Sequence, residues 1–237
     1  MFAPKFIPLR LLVLLSALCC VLNAPQANAA RPMITDDARV VDAKACQLEA
    51  WTRLNRDTTE LWALPACNVA DNLEITLGGA QTREAGQYST TDVQGQVKTI
   101  LQPLTDEQWG IGLAVGTLNR PTDLERQSYI YVPVSIPLIA ERSFLHLNAG
   151  VARLPHDRGL EATLGLGLEH QTGQRTWLIA ETFRQEAGRP FIQLGVRYWL
   201  IPNRMQLDAT VGNRSRFSDD ERWTSIGIRL LSDRILP

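Results

Sequence analysis

Two cysteines outside the first thirty residues, three histidines and a series of alternating charged residues are the side chains of this sequence that could do chemistry. Cys46 and Cys67 bracket the stretch CQLEAWTRLNRDTTELWALPAC. Folding this stretch as a hairpin about Arg56-Asp57 produces three sensible facing pairs at once: Cys46 with Cys67, Trp51 with Trp62, and Arg53 with Glu60. Cross-strand pairs of this kind stabilise an antiparallel ribbon. We therefore expect a hairpin here, with a disulfide between its ends.

The first 29 residues indicate the compartment of the protein, and the compartment determines whether that disulfide can form. Lys5 and Arg10 precede the apolar run from Leu11 to Leu22, and Ala27-Asn28-Ala29 supplies small residues for cleavage. This is the layout of a secretory signal peptide, and its removal would also remove Cys19 and Cys20. Export to an oxidising compartment favours a Cys46–Cys67 bridge. Two buried free thiols remain the alternative.

The histidines give little indication of catalysis or of metal binding. His146 lies on an alternating segment beyond Ser143, His156 stands beside Asp157, and His170 follows Glu169. Adjacent strand residues point to opposite faces, so neighbours in sequence do not form a catalytic pair automatically. A hydrolase with serine, histidine and acid groups at an outer rim is the weaker alternative to a protein that is not an enzyme. The spacing predicts no metal site, and we expect no cofactor.

Alternation of apolar and other residues with a period of two dominates the rest of the chain. WGIGLAVGT, for example, places Trp109, Ile111, Leu113 and Val115 on one face and glycine or alanine on the other. Such segments are typical of β-strands. We predict about twelve strands, at 46–54, 59–67, 72–81, 93–102, 108–118, 127–138, 144–153, 160–170, 176–185, 191–199, 204–212 and 223–231.

An even number of strands after a signal peptide predicts an all-β fold, an up-and-down antiparallel transmembrane β-barrel in the outer membrane of a Gram-negative bacterium. Residues 1–29 would be the signal peptide, 30–45 a periplasmic N-terminal segment and 46–237 the barrel. Long polar connections such as TREAGQYSTTD, NRPTDLERQ and RSRFSDDER would face outwards. Outer-membrane lipid and lipopolysaccharide would be its partners. A soluble periplasmic β-sandwich is the alternative, because its strands also alternate.

The inward face of such a barrel would carry most of the charged residues. The predicted lumen-lining residues are Glu49, Arg53, Glu60, Glu74, Lys98, His146, Glu161, Glu169, Glu181, Arg197, Asp208 and Arg229. They could select small solutes by charge, or they could form an ion-pair network that fills the barrel. The formal net charge of −1, without a basic patch, argues against nucleic acid as a partner. For Asp36 and Asp37 we expect a solvated turn, since two carboxylates are too few for a calcium site.

The stretch RPMITDDARVVDAKACQLEAW resembles the start of the MetA-pathway of phenol degradation family, with Thr35, Asp36, Asp37 and Ala38 as its most specific part. YVPVSIPL and the repeated strand pattern are also similar. The resemblance implies an outer-membrane transporter of porin-like shape. It implies a passive channel for small solutes of hydrophobic or aromatic character. The sequence departs from the family by its cysteine pair and by its non-aromatic end, SDRILP. A structural or adhesive barrel that acts through its surface loops is the alternative function.

Overall fold

The computed structural model describes residues 31–121, 123–140, 142–155, 159–186 and 188–236, without the side chains of Ser89 and Thr90. The predicted signal peptide, residues 1–29, therefore lies outside the described residues, as do His156 and Asp157. Among the residues that are described, no helix has the length and apolar character needed to cross a membrane.

Twelve antiparallel strands form one closed barrel, in which each strand pairs with its neighbours in sequence and β1 pairs with β12. The strands are β1 (Ala45–Leu54), β2 (Thr58–Asn68), β3 (Leu73–Glu84), β4 (Gln87–Gln102), β5 (Gly110–Arg120), β6 (Glu125–Ile139), β7 (Ser143–Arg153), β8 (Leu160–Gln171), β9 (Thr176–Arg184), β10 (Phe191–Ile201), β11 (Met205–Arg214) and β12 (Trp223–Arg234). The prediction of a twelve-stranded up-and-down barrel is confirmed. A β-sandwich is excluded because the sheet closes on itself.

The first hairpin has the register that the sequence predicts. Cys46 pairs with Cys67 and Arg53 with Glu60 across β1 and β2. The two cysteines form a disulfide with their Cα atoms 4.1 Å apart. Trp51 and Trp62 stack with ring centroids 5.2 Å apart. The ribbon is therefore fixed near both ends, by a covalent bond and by an aromatic pair.

The barrel is apolar outside and polar inside. Outward positions such as Leu77 and Ile226 expose 65% and 70% of their surface. Inward positions on the same strands carry buried polar residues, such as Thr76 on β3 and Arg229 on β12. This inverted polarity is that of a barrel whose outer face contacts lipid.

Two of the predicted outside loops are strands instead. In TREAGQYSTTD, β3 continues to Glu84 and β4 begins at Gln87, so that only Ala85 and Gly86 form the turn. Both turn residues have positive φ, as a tight hairpin turn requires. NRPTDLERQ likewise lies mostly in β5 and β6. The polar residues extend the barrel wall because its ladder hydrogen bonds continue. RSRFSDDER is a connection as predicted, with a 3₁₀ turn at Asp219–Glu221.

Residues 31–44, here called the lumen segment, precede β1 and lie inside the barrel up to Val41, while Asp42 and Lys44 are exposed. Thr35, Asp37 and Ala38 are each at most 2% exposed. The expectation of a solvated turn at Asp36 and Asp37 is therefore wrong. The sequence could not show this, because the residues that bind the segment lie on strands far apart in the chain, from Asn68 on β2 to Asp208 on β11.

Candidate functional site

The start of the lumen segment is bound by polar side chains of β10 and β11. Arg197 donates from Nε and Nη2 to the carbonyl oxygen of Arg31, at 3.1 and 2.6 Å. Arg197 also pairs with Glu169 on β8, at 2.8 Å. The Arg31 guanidinium in turn bonds Asp208 at 2.8 Å and lies over the Trp51 ring, 4.1 Å from its centroid. Buried charges thus satisfy one another across the lumen.

The middle of the segment binds through its backbone. Glu181 on β9 accepts hydrogen bonds from the amides of Ile34 and Thr35, at 2.9 and 2.8 Å. Asn148 on β7 accepts from the Asp36 amide at 2.6 Å and donates to the Asp36 carbonyl oxygen at 2.9 Å. An isolated extended segment inside a barrel would bury unpaired amides. Here the inward side chains of the wall take the place of a neighbouring strand.

Lys98 on β4 holds the two adjacent carboxylates. Its ammonium lies 2.8 Å from Asp36 and 3.6 Å from Asp37. Asp36 also accepts a hydrogen bond from the Tyr131 hydroxyl, at 2.8 Å. Arg39 is 3.7 Å from Asp37. The TDDA motif is therefore an anchor whose carboxylates cross-link the segment to β4 and β6.

Glycines on the inward face make room for the segment. A Cβ atom at Gly165 would lie 2.7 Å from the Thr35 hydroxyl, and one at Gly227 would lie 2.6 Å from Arg31 Nη2. Real Cβ contacts are essentially never so short. A side chain at position 165 would displace Thr35, and one at position 227 would displace the Arg31 guanidinium, so Gly165 on β8 and Gly227 on β12 are matched to the segment.

Ser135, His146 and Glu169 form a buried chain of polar groups between β6, β7 and β8. Ser135 Oγ and His146 Nδ1 are 2.7 Å apart, and His146 Nε2 lies 3.4 Å from Glu169. The three types are those of a nucleophile, a base and an orienting acid. Ser135 Oγ, however, accepts the amide of Ala38 at 2.8 Å, and all three residues are at most 1% exposed. This chain supports the lumen segment and offers no room for a substrate.

A cavity of about 570 Å³ remains in the lumen beside the segment. It reaches Gln185 and Glu186 in the β9–β10 connection at one end and Gln47 and Ala66 near the disulfide at the other. Its charged walls come mainly from β1, β3, β4 and β12. Its aromatic walls are Trp51, Trp62, Tyr129, Tyr131, Phe183, Phe191 and Trp223. On the opposite side, the apolar cluster of Phe144, Trp177 and Trp199 fills the lumen.

The predicted lumen residues fall into three groups. Those that line the cavity are Glu49, Arg53, Glu74, Lys98 and Arg229. Those that lie at the segment or support it are His146, Glu169, Glu181, Arg197 and Asp208. Glu60 accepts hydrogen bonds from Asn55 and Trp62 and, like Glu161, is half-buried. The Arg53 guanidinium lies over the Trp223 ring, 4.4 Å from its centroid, while Arg53 pairs in register with Glu60.

Several contact residues are absent from that prediction. Ser135, Asn148 and Gln193 are neutral, but they share the inward parity of their charged neighbours. Counting every polar residue of that parity would have found them. Arg31 could not be found, because it lies on no strand. Among the described residues, no cluster of three or more histidine, cysteine or acidic side chains has metal-binding geometry.

The closed barrel, its apolar outer face and its polar lumen define the chain as an outer-membrane β-barrel protein. The chain belongs to the family described as Uncharacterised conserved protein UCP029691, whose sequence profile matches residues 17–231. A comparison with curated proteins finds no match.

Solved structures with the same fold include two channels and one enzyme. The KdgM porin has a TM-score of 0.62 at 9% identity, covering 78% of this chain and 98% of its own. The COG4313 outer membrane channel from Pseudomonas putida F1 has a TM-score of 0.54 at 8% identity, covering 83% and 98%. Outer membrane phospholipase A from Escherichia coli has a TM-score of 0.50 at 12% identity, covering 90% and 100%. At these identities the likenesses show the barrel fold, and they do not show the phenol degradation family.

Proposed function

We propose that this protein is an outer-membrane channel or transporter for small solutes, and that the solute path follows the cavity between the lumen segment and strands β1 to β4. The observation that carries the proposal is the cavity of about 570 Å³, which runs beside the segment past Glu49, Glu74 and Lys98. Mixed charges along such a path are a means of selecting solutes. They would also keep the path hydrated.

The cavity walls favour solutes with a flat apolar face and a polar group. Trp51 and Trp62 present a stacked pair, while Gln94 and Gln96 supply amides nearby. Binding sites for small molecules combine aromatic walls with a few placed polar groups in this way. A small hydrophobic or aromatic solute, the class implied by the resemblance to the phenol degradation family, fits this lining.

The lumen segment sets the width of the path. Barrels of eight strands are filled by side chains and those of sixteen or more hold a water channel, so a twelve-stranded barrel lies between these regimes. Here the segment occupies part of the space and leaves the rest open as the cavity. We expect full conductance only when the segment leaves the lumen.

Hydrolysis is not part of the proposed function. The Ser135–His146–Glu169 chain is sealed by the lumen segment, with Ser135 fully buried. Hydrolysis of a fluorogenic ester by the purified barrel that disappears in Ser135→Ala would contradict this statement. A structural or adhesive role remains the second candidate, because Arg56 pairs with Asp220 and Arg214 with Glu221, which ties the β11–β12 connection into a surface ion-pair network. Shortening that connection would abolish adhesion but leave conductance intact.

Single-channel recording of the purified barrel in a planar bilayer tests the transport proposal. We expect small currents that are blocked by benzoate more strongly than by cyclohexanecarboxylate, which has the same charge but no aromatic face. Trp62→Leu should remove the difference, whereas the outward substitution Leu166→Ala should not. Absence of current from both the wild type and a variant lacking residues 31–41, each shown to be folded, would refute transport.

A further inference from the structure

A groove on the outer face of the barrel lies across strands β3 to β8, away from the lumen. It has a volume of about 710 Å³, and Leu77, Val97, Val115 and Ile130 line it. Gly95 forms part of its floor. Since glycine has no side chain there, β4 leaves a depression between the outward side chains of its neighbours. The groove is therefore an apolar trough on a surface that faces lipid.

Two arginines border one end of this groove. Arg126 on β6 and Arg153 on β7 both line it and are both exposed. Arg153 pairs in register with Ser128, which lies two residues from Arg126 on the same face of β6. The two guanidinium groups are therefore diagonal neighbours on adjacent strands. They stand at the end of the strands where the lumen cavity reaches the β9–β10 connection.

The arginines lie where the outer face changes from apolar to polar. Towards the β5–β6 connection, the next outward-facing residue after Val115 on β5 is Thr117, and the next one beyond Ile130 on β6 is Ser128. A boundary of this kind marks the depth of the lipid headgroups. We take the end of the barrel where β1 begins and β12 ends as periplasmic, because the longest connection, between β11 and β12, lies at the other end. The arginines then face the outer leaflet.

Neither arginine has a carboxylate partner within the described part of the chain, in contrast to Arg120 and Arg214 at the same end of the barrel. A guanidinium forms bidentate hydrogen bonds with phosphate and binds it well at an interface. The groove thus combines an apolar trough for an acyl chain with two cations at headgroup depth that have no carboxylate partner among the described residues.

We propose that this groove is a binding site for a phosphorylated glycolipid of the outer leaflet, with one acyl chain over Gly95 and the headgroup phosphate between Arg126 and Arg153. The site is independent of the lumen and of solute transport. A glycolipid bound there would occupy one defined side of the barrel.

Native mass spectrometry of the full barrel in detergent, titrated with lipid A, tests the site. We expect one lipid A to be retained by the wild type, and the Arg126→Ala/Arg153→Ala variant to bind it at least about tenfold more weakly, the loss expected for a charge-assisted hydrogen bond. Fully dephosphorylated lipid A should bind the wild type as weakly as lipid A binds this variant. Gly95→Leu should also weaken binding, because its side chain fills the trough while both arginines remain.

Arg216→Ala/Arg222→Ala is the matched control, since it removes two exposed arginines from the β11–β12 connection at the same end. It should bind lipid A like the wild type. All variants should keep a heat-dependent shift on gels, which reports a folded barrel. Equal loss in the control variant, or equal binding of dephosphorylated lipid A by the wild type, would overturn the proposal.

Discussion

Lys98→Met should release the lumen segment from the barrel wall. Lys98 is 3% exposed and neutralises Asp36 and Asp37, which belong to the segment. Methionine fills most of the same volume but leaves two adjacent carboxylates in the lumen without their cation on β4. The variant therefore changes the charge balance of the anchor and little of its packing.

The size of the effect follows from the contacts that remain. Breaking a buried ion pair by removing one partner costs about 3–5 kcal/mol. Asp36 keeps its hydrogen bond from Tyr131, and Asp37 keeps Arg39 at 3.7 Å. We therefore expect the lower end of that range, which corresponds to a rise of about a hundredfold in the population of released segment.

Cysteine labelling measures that population directly. Thr35→Cys places a thiol at a position that is 1% exposed, while Cys46 and Cys67 are held in the disulfide. When opening and closing are fast, the rate of reaction with a maleimide is proportional to the open population. Lys98→Met should raise this rate about a hundredfold. Leu124→Cys, which is 92% exposed, controls for the reagent and should react equally in both backgrounds.

A second substitution makes the reasoning refutable. Asp36→Asn in the Lys98→Met background removes one of the two stranded charges, and its amide can still bond the Tyr131 hydroxyl. The labelling rate should fall back towards that of the wild type, as a double-mutant cycle requires for a coupled pair. Slow labelling of Lys98→Met, or no recovery in the double variant, would show that this ion pair does not hold the segment.

Three further predictions rest on other parts of the barrel. Gly165→Val should speed labelling of Thr35→Cys, because a Cβ atom at position 165 would lie 3.3 Å from the Cβ atom of residue 35 and the valine methyl groups would crowd that residue further. The outward Gly95→Ala, 3.4 Å from Leu77, should not change the rate. Replacing both Cys46 and Cys67 by serine should lower the unfolding free energy by about 3 kcal/mol in a denaturant titration, and free thiols in native protein would disprove the bridge. The protein should fractionate with outer membranes and shift on gels only after boiling; a soluble protein without the shift would contradict the barrel.

The wall of the barrel could be predicted from the sequence because its strands and turns are determined by residues that are close together in the chain. Alternation assigns each residue to a face, and the register of the first hairpin follows from pairs within 22 residues that include Cys46 and Cys67. The sequence pattern predicts that β4 starts at residue 93, whereas the strand starts at Gln87, six residues earlier. There the outward positions become polar and alternation no longer distinguishes a strand from a loop. Backbone hydrogen bonds between β3 and β4 continue the sheet there, and the hydropathy pattern does not report such bonds.

The position of the lumen segment could not be predicted because the residues that bind it are far away in the sequence. Its contacts link Ile34 to Glu181, 147 residues away, and Arg31 to Asp208, 177 residues away. Nothing in RPMITDDARV alternates, and its two carboxylates are as suitable for a solvated turn as for an anchor. The family resemblance emphasises the TDDA motif, but the role of the motif depends on Lys98 and Tyr131, which are far along the chain.

The inward glycines indicate where the barrel wall leaves space in the lumen, which the alternation pattern alone does not show. A twelve-stranded barrel is too wide for its own side chains to fill it as they fill a barrel of eight strands. An inward glycine therefore leaves space either for a side chain of a neighbouring strand, as Gly116 does for the Tyr129 ring, or for another part of the chain. Gly165 and Gly167 on β8 contact Thr35 and Met33 in this way, and Gly227 contacts Arg31. The cavity lies where the inward residues are large or charged, beside β1, β3 and β4. The inward glycines of β8 thus make room for the middle of the segment, while Lys98 and Tyr131 hold its carboxylates on the side of the cavity.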